Sequence, residues 1–344
     1  WALFNLANDK ITANVGNPLM FSVLLGLVIT TAQSLALFPA LSVEWRSQGD
    51  LFDTFRFFLG TPDGVPLSCA LSDSPAVLFA FRCLLPLLCV VAIGIVWSVS
   101  YLVCRMRGIP AWPLNVAQNT LGQLLQTLFI AIGVLVVQPL RCYSHPNGLS
   151  SMSSFPQILC WEDSEHTTIV IFGILVGISF VIPFLTGCIW AVISAPHCKN
   201  PVGHYQRWRF LLYRFRADVW WWGVVFLIRQ LALAFSACVP ADSPHWQITY
   251  VALVTIIYLS AVCTKWPWKN SILNIIDVSS MLLLNAVIVS SGSFTERNDA
   301  DVHSFVVFHF VLISFFMILV ISIACSIAHY AHLNGLRGGY TGGV

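Results

Sequence analysis

Runs of about twenty apolar residues, recurring eight times, constrain this 344-residue chain more than any other feature. They fall near residues 18–39, 76–103, 114–138, 168–195, 219–239, 246–263, 271–292 and 302–329. Each can cross roughly 30 Å of hydrocarbon as a helix, the spanning form that satisfies its own backbone hydrogen bonds. With 57% hydrophobic and 9% charged residues, the composition is far from the roughly 25% charge of soluble domains. The expected fold is therefore all-α: a polytopic transmembrane helical bundle over residues 18–330, with about eight spans and both ends cytosolic. Residues 1–17 read as a cytosolic lead-in, and 331–344 as a flexible, glycine-rich cytosolic tail. The chain opens at Trp1 without methionine or a signal-peptide pattern, so it is expected to continue upstream.

The charges between the runs give the orientation. One set of connectors carries eleven bases (Lys10, Arg105, Arg107, Lys199, Arg207, Arg209, Arg214, Arg216, Lys265, Lys269, Arg337) against two acids, Asp9 and Asp218. The other set carries four bases against twelve acids. Bases gather on the cytosolic side of membrane proteins, so the basic set is expected inside. Miscounting one span would scramble this sorting, so the asymmetry also supports the count.

Residues 213–235, YRFRADVWWWGVVFLIRQLALAF, place a basic and aromatic run before three tryptophans and an apolar helix. Arg207, Arg209, Arg214 and Arg216 suit anionic headgroups on the cytosolic side better than nucleic acid, because spans flank them closely. Trp220, Trp221, Trp222, Trp266 and Trp268 fit interfacial anchors. Arg229 then lies roughly 15 Å past the tryptophan belt, where charge is rare and usually has a job.

Asp277 enters its own span from the same side, with Asn274 one turn before it. Arg229 and Asp277 are expected to face each other as an intramembrane pair, because an isolated charge in hydrocarbon costs several kcal/mol. Whether that pair gates something or only fixes helix packing stays open. Arg82 is supporting and near enough to the outer surface to snorkel.

The fourth span, with Gly173, Gly177, Gly187 and Pro183, predicts close packing on one face and a kink near Pro183. Gln118, Asn119, Gln123 and Gln126 in the third span, and His303 and His309 in the eighth, either line a hydrated path or bond between helices. Leu51, Phe52, Phe55, Phe58 and Leu59 recur at helical spacing, predicting an amphipathic helix on the outer leaflet. Asn298, Asp299 and Asp301 lack the full spacing of a calcium loop and read as a solvated acidic turn.

Of eleven cysteines, only Cys69, Cys142 and Cys160 fall outside cytosol and bilayer, and Cys142 with Cys160 is the expected disulfide. His145, His166, Glu162 and Glu165 lie near them and offer a zinc alternative, without the close ligand spacing of known zinc motifs. No P-loop, HExxH, GxSxG or close CxxC occurs, and no potassium-filter sequence. The reading is not an enzyme, with no cofactor.

Three patches carry a family resemblance. They are residues 142–166, CYSHPNGLSSMSSFPQILCWEDSEH; residues 209–233 with RFRADVWWW and Arg229; and Trp266-Pro267-Trp268 followed by Asn274 and Asp277. In these the chain resembles the TRP-like C-terminal membrane domain of large protist and algal surface proteins, distantly similar to fungal TRP-like and flavin-carrier proteins. The resemblance implies a cation channel or channel-like sensor in a plasma or other surface-type membrane, joined to a large extracellular region. The other reading is a non-conducting anchor or scaffold for an extracellular assembly. Expected partners are the bilayer, that ectodomain or assembly, cations for a channel, and in one arrangement further copies of the chain; nucleic acid is not among them.

Overall fold

A computed structural model of the chain describes residues 17–38, 41, 74–111, 113–198, 201–238 and 244–291. The expected lead-in, outer amphipathic helix, Cys69, acidic turn, eighth span and tail lie outside the described residues. So do the histidines of that span.

The described chain is mostly helical. In order come α1 (Asn17–Leu35), α2 (Pro75–Cys83), α3 (Leu85–Met106), α4 (Leu114–Thr127) and α5 (Phe129–Val137). After a small sheet follow α6 (Ser164–Val176), a π-helical turn (Gly177–Val181), α7 (Ile182–Ser194), α8 (Pro201–Arg207) and α9 (Arg209–Leu212). The last are α10 (Trp222–Ala234), α11 (Pro244–Lys265) and α12 (Ser271–Ser291).

Among the described residues, four helices are long and apolar enough to cross a membrane: Pro86–Met106, Ser164–His197, Pro244–Lys265 and Ser271–Val289. The expected second span is divided by a turn at Leu84, just ahead of Pro86, whose ring cannot donate into the preceding turn. The expected third span bends by 54° at Leu128, between α4 and α5. Polar α4 and wholly apolar α5 meet at that bend, and five such crossings result if the bent pair counts as one. The apolar parts of α1 (Val23–Leu35) and α10 are shorter. In the fourth span the proline is absorbed by the π-helical turn before it, which lets Pro183 do without an amide hydrogen.

Outer and inner faces differ as lipid requires. On α3, Leu87, Leu88, Val91, Ile95, Val99 and Leu102 are all exposed, a stripe that water would not tolerate. Buried residues form two clusters. One joins α1, α11 and α12; the other joins α2, α6 and α7. Helices α5 and α10 contribute to both, through Ile130 and Phe226 on one side and Ile132 and Leu227 on the other. They can approach because Gly133 faces Ala234, where a β-carbon would come within 2.9 Å of the alanine methyl. Gly173 packs similarly against Pro139 and Gly177 against Val136, whereas Gly187 has only Trp208 in reach.

The strictly all-α expectation gives way at one place. Residues 142–159 form a three-stranded antiparallel sheet, β1 (Cys142–Ser144), β2 (Ser150–Met152) and β3 (Phe155–Leu159). Pro146-Asn147-Gly148 turns the chain between β1 and β2, and Gly148 takes φ 81°, a conformation open to glycine. That turn was the readable signal for a hairpin.

Candidate functional site

The site begins in the backbone. Residues 214–216 run antiparallel to 267–269, with Phe215 opposite Trp268. The Arg216 amide donates to the Pro267 carbonyl at 2.9 Å and the Lys269 amide to the Arg214 carbonyl at 3.3 Å. This short strap joins the segment ahead of α10 to the turn between α11 and α12. The turn is unusual: Trp266 has φ 48°, a left-handed conformation that costs a non-glycine residue on the order of 1 kcal/mol.

Asn274 holds the turn in place. Its Oδ1 accepts the Trp268 amide at 3.0 Å and its Nδ2 donates to the Trp268 carbonyl at 2.9 Å, so one side chain pairs as a β-strand neighbour would. Thus fixed, Trp268 turns its indole inward, where Nε1 donates to Asp277 Oδ2 at 2.8 Å. The Tyr258 hydroxyl donates to the same oxygen at 3.0 Å.

The other carboxylate oxygen, Oδ1, faces Arg229, whose Nη1 is 4.0 Å away. Arg229 lies near the middle of α10 and is 4% exposed; Asp277, on α12, is fully buried. The guanidinium lies over the rings of Phe226 and Tyr258, 4.6 and 4.4 Å from their centroids, and Nη1 donates to Met281 Sδ at 3.2 Å. Arginine is therefore held as much by π faces as by carboxylate. The structure brings together Arg229, Asp277 and Asn274; Arg82 sits apart, on the last turn of α2. Tyr258 and Met281, which the sequence reading did not single out, complete the site. Tyr258 stands four turns into an unremarkable apolar helix, and only the need of a buried carboxylate for donors could have pointed to it.

Other polar residues tie the helices to each other. Thr255 donates to Asn285 Oδ1 at 2.8 Å, and Tyr250 to the Ala232 carbonyl at 3.1 Å. On α4, Asn119 Oδ1 accepts the Phe210 amide at 2.8 Å, and Gln123 accepts from Arg214 Nη2. Asn119 and Gln123 thus dock the basic segment. Gln126 borders a void of about 10 Å³ with Thr30, Arg214, Phe226 and Trp268, room for a single water.

Two of the expected surface sets need correcting. Arg214 does not face headgroups: it is 7% exposed and turned toward Gln123, because pairing of its neighbours in the strap fixes its direction. Burial pushes its guanidinium down to about 10, which leaves it charged at neutral pH. Arg207 and Arg216 remain exposed, and Arg209 lies over the Tyr213 ring. Among the tryptophans, Trp220 and Trp266 are exposed and Trp221 is half-buried, but Trp222 and Trp268 belong to the core. Three consecutive residues at a helix start sweep about 200°, so they cannot share one interface.

At the other end of the bundle, Cys142 and Cys160 are disulfide-bonded. His166 is buried beside them, its Nε2 4.0 Å from Cys142 Sγ. Of the residues that offered a zinc site, Cys142, Cys160 and His166 converge. Both sulfurs are consumed by the disulfide. His166 is also engaged twice: Nδ1 accepts the Trp161 amide at 3.2 Å, which leaves Nε2 to donate to the Pro139 carbonyl at 3.1 Å. His145 instead meets Ser151 Oγ at 2.8 Å, and Glu165 accepts from Ser74 at 3.1 Å. The cluster knots the sheet to α6 and to the turn Gln138–Leu140 that follows α5.

No family model matches the chain, and neither a curated protein nor a solved structure matches it.

Proposed function

We propose that the chain is the membrane domain of a TRP-like cation channel or channel-like sensor, coupled to a large extracellular region and set in a plasma or other surface-type membrane. In this reading it crosses eight times with both ends cytosolic, and the strap faces cytosol and anionic headgroups. The observation that carries it is the Arg229–Asp277 pair, buried between α10 and α12 and bonded through Trp268 to the membrane-surface strap. A charge pair that joins two helices couples them: a shift of either helix changes a contact made in low dielectric. Motion of the strap would reach it directly through the indole. The twelve acids on the outward connectors would concentrate cations there.

One observation favours a second reading, a non-conducting anchor or scaffold. Asp277 is fully enclosed, with Oδ2 accepting from Trp268 and Tyr258 and Oδ1 facing Arg229, a carboxylate set into helix packing. Purified protein in planar bilayers separates the two. A channel-like sensor passes cations under voltage, tension or calcium, with opening altered in Asp277→Asn; silence under all three stimuli leaves the anchor.

A further inference from the structure

A second feature of the strap concerns its exposed side. Between the end of α7, the α8–α9 segment and the strap lies a pocket of about 290 Å³, lined in part by Pro196, Tyr205, Tyr213, Trp220 and Lys269. Its floor is apolar, from Leu212 and Phe215, both buried. Its rim carries the exposed aromatic rings of Tyr205 and Trp220.

Two cations share one ring in this corner. Lys269 Nζ lies 3.8 Å from the Tyr213 centroid and Arg209 Cζ lies 5.0 Å from it. Burial, and then the neighbouring Arg209 charge, push the Lys269 ammonium below its ordinary range. Among the described residues Lys269 meets no carboxylate: Asp218, the acid of this connector, is held by Arg216 at 2.9 Å, and Asp277 is turned inward. Two like charges beside one ring are stabilised when an anion binds near them.

We propose that this pocket binds the phosphate of an acidic phospholipid, with Lys269 of its wall and Arg209 beside the same Tyr213 ring as its cations, and the aromatic rim against the glycerol and first acyl carbons. The assignment rests on the membrane reading above and narrows its general headgroup attraction to one discrete site. A lipid is chosen over a soluble anion because the pocket combines a cationic mouth with an apolar floor at helix ends, where headgroup and acyl chain meet. Because Lys269 follows Trp268, an occupied pocket would brace the strap that carries the indole to Asp277.

Native mass spectrometry of the full chain, titrated with phosphatidylglycerol or phosphatidylcholine in mixed micelles, tests this. One phosphatidylglycerol should be retained in preference to phosphatidylcholine. Lys269→Gln and Arg209→Gln should each weaken it roughly fivefold and the double variant about 25-fold, near the worth of one basic residue at an anionic surface each. Lys269→Arg should keep it, and so should Arg207→Gln, whose side chain bonds Asn115 instead. Should Lys269→Gln fail to fold, Arg209→Gln against Arg207→Gln decides. Equal retention of the two lipids, or equal loss in Arg207→Gln, overturns the site; so does displacement by inorganic phosphate, which would make the pocket a soluble-anion site. Extraction of the chain from vesicles by alkaline carbonate would instead overturn the membrane reading itself.

Discussion

The three-stranded sheet and the strap both fasten a loop to the helical bundle, by opposite means. The sheet draws its partners from residues 139–166, closes them with one covalent bond and locks them with a histidine bonded through both ring nitrogens. The strap joins residues some fifty positions apart, uses two backbone hydrogen bonds, and depends on an amide, an indole and a buried ion pair. A local, covalent fastening tolerates the loss of any one weak contact. A fastening built from a chain of polar contacts in low dielectric does not, since each group removed orphans the next.

The largest effect should therefore come from Asp277→Ala. It leaves Arg229 without a carboxylate and Trp268 and Tyr258 without an acceptor, so it should destabilise by about 3–5 kcal/mol. Asp277→Asn keeps an acceptor oxygen and should cost clearly less. Denaturant titration in detergent gives both values, and equal losses in the two variants would mean that the charge, not the hydrogen bonds, holds the site. Removing the disulfide by Cys142→Ser with Cys160→Ser should cost about 3 kcal/mol for a loop of this size. Its signature should be local: faster hydrogen exchange across 142–166 with exchange around Trp268 unchanged. If both regions loosen together, the two fastenings are one cooperative unit and the contrast fails.

Much of this difference was already visible in the residues. The two cysteines could be paired because charge sorting left few candidates beside them, whereas the Asn147-Gly148 turn signalled a hairpin that the all-α expectation passed over. Arg229 and Asp277 stood out because charge in an apolar run is conspicuous. What stayed hidden were the partners with no such contrast: Tyr258 in an apolar helix, Met281, and the backbone pairing of Phe215 with Trp268. Period and hydropathy say which face of a helix is apolar, yet they do not say which turn at a helix end will pair with which. That choice depends on how α10 and α12 are placed, so Trp222 and Trp268 read as surface anchors although the core claims them. The spans were legible as apolar runs and Pro86 marked the break at Leu84, whereas nothing in hydropathy marked the bend at Leu128.

A middle-sized effect isolates the amide. Asn274→Ala removes both bonds to the Trp268 backbone, leaving a buried donor and acceptor unpaired, and should cost about 1–3 kcal/mol. It should also speed exchange of the Trp268 and Arg216 amides, while those of β1–β3 stay protected. Gly223→Ala should fall in a similar range, because its new β-carbon would stand 2.5 Å from Leu211 Cδ1 and 2.9 Å from the Leu211 carbonyl oxygen.

The smallest effect is the most discriminating for how the strap is made. Arg216 takes part twice: its amide bonds Pro267, and its side chain forms a two-point pair with Asp218 at 2.9 and 3.1 Å. That pair is close to half exposed on both sides, so water and salt screen it, and exposed pairs of this kind contribute about 0–1 kcal/mol. Arg216→Ala deletes the pair but keeps the amide. If the strap is a backbone structure, denaturant stability should fall by less than about 1 kcal/mol and exchange at Arg216 and Lys269 should stay slow. A loss comparable to that of Asn274→Ala, suppressed by raising the ionic strength of the wild type, would show instead that side-chain charge holds the two segments together. The strap would then share the electrostatic character of the buried pair below it, and its orientation would follow the salt around it.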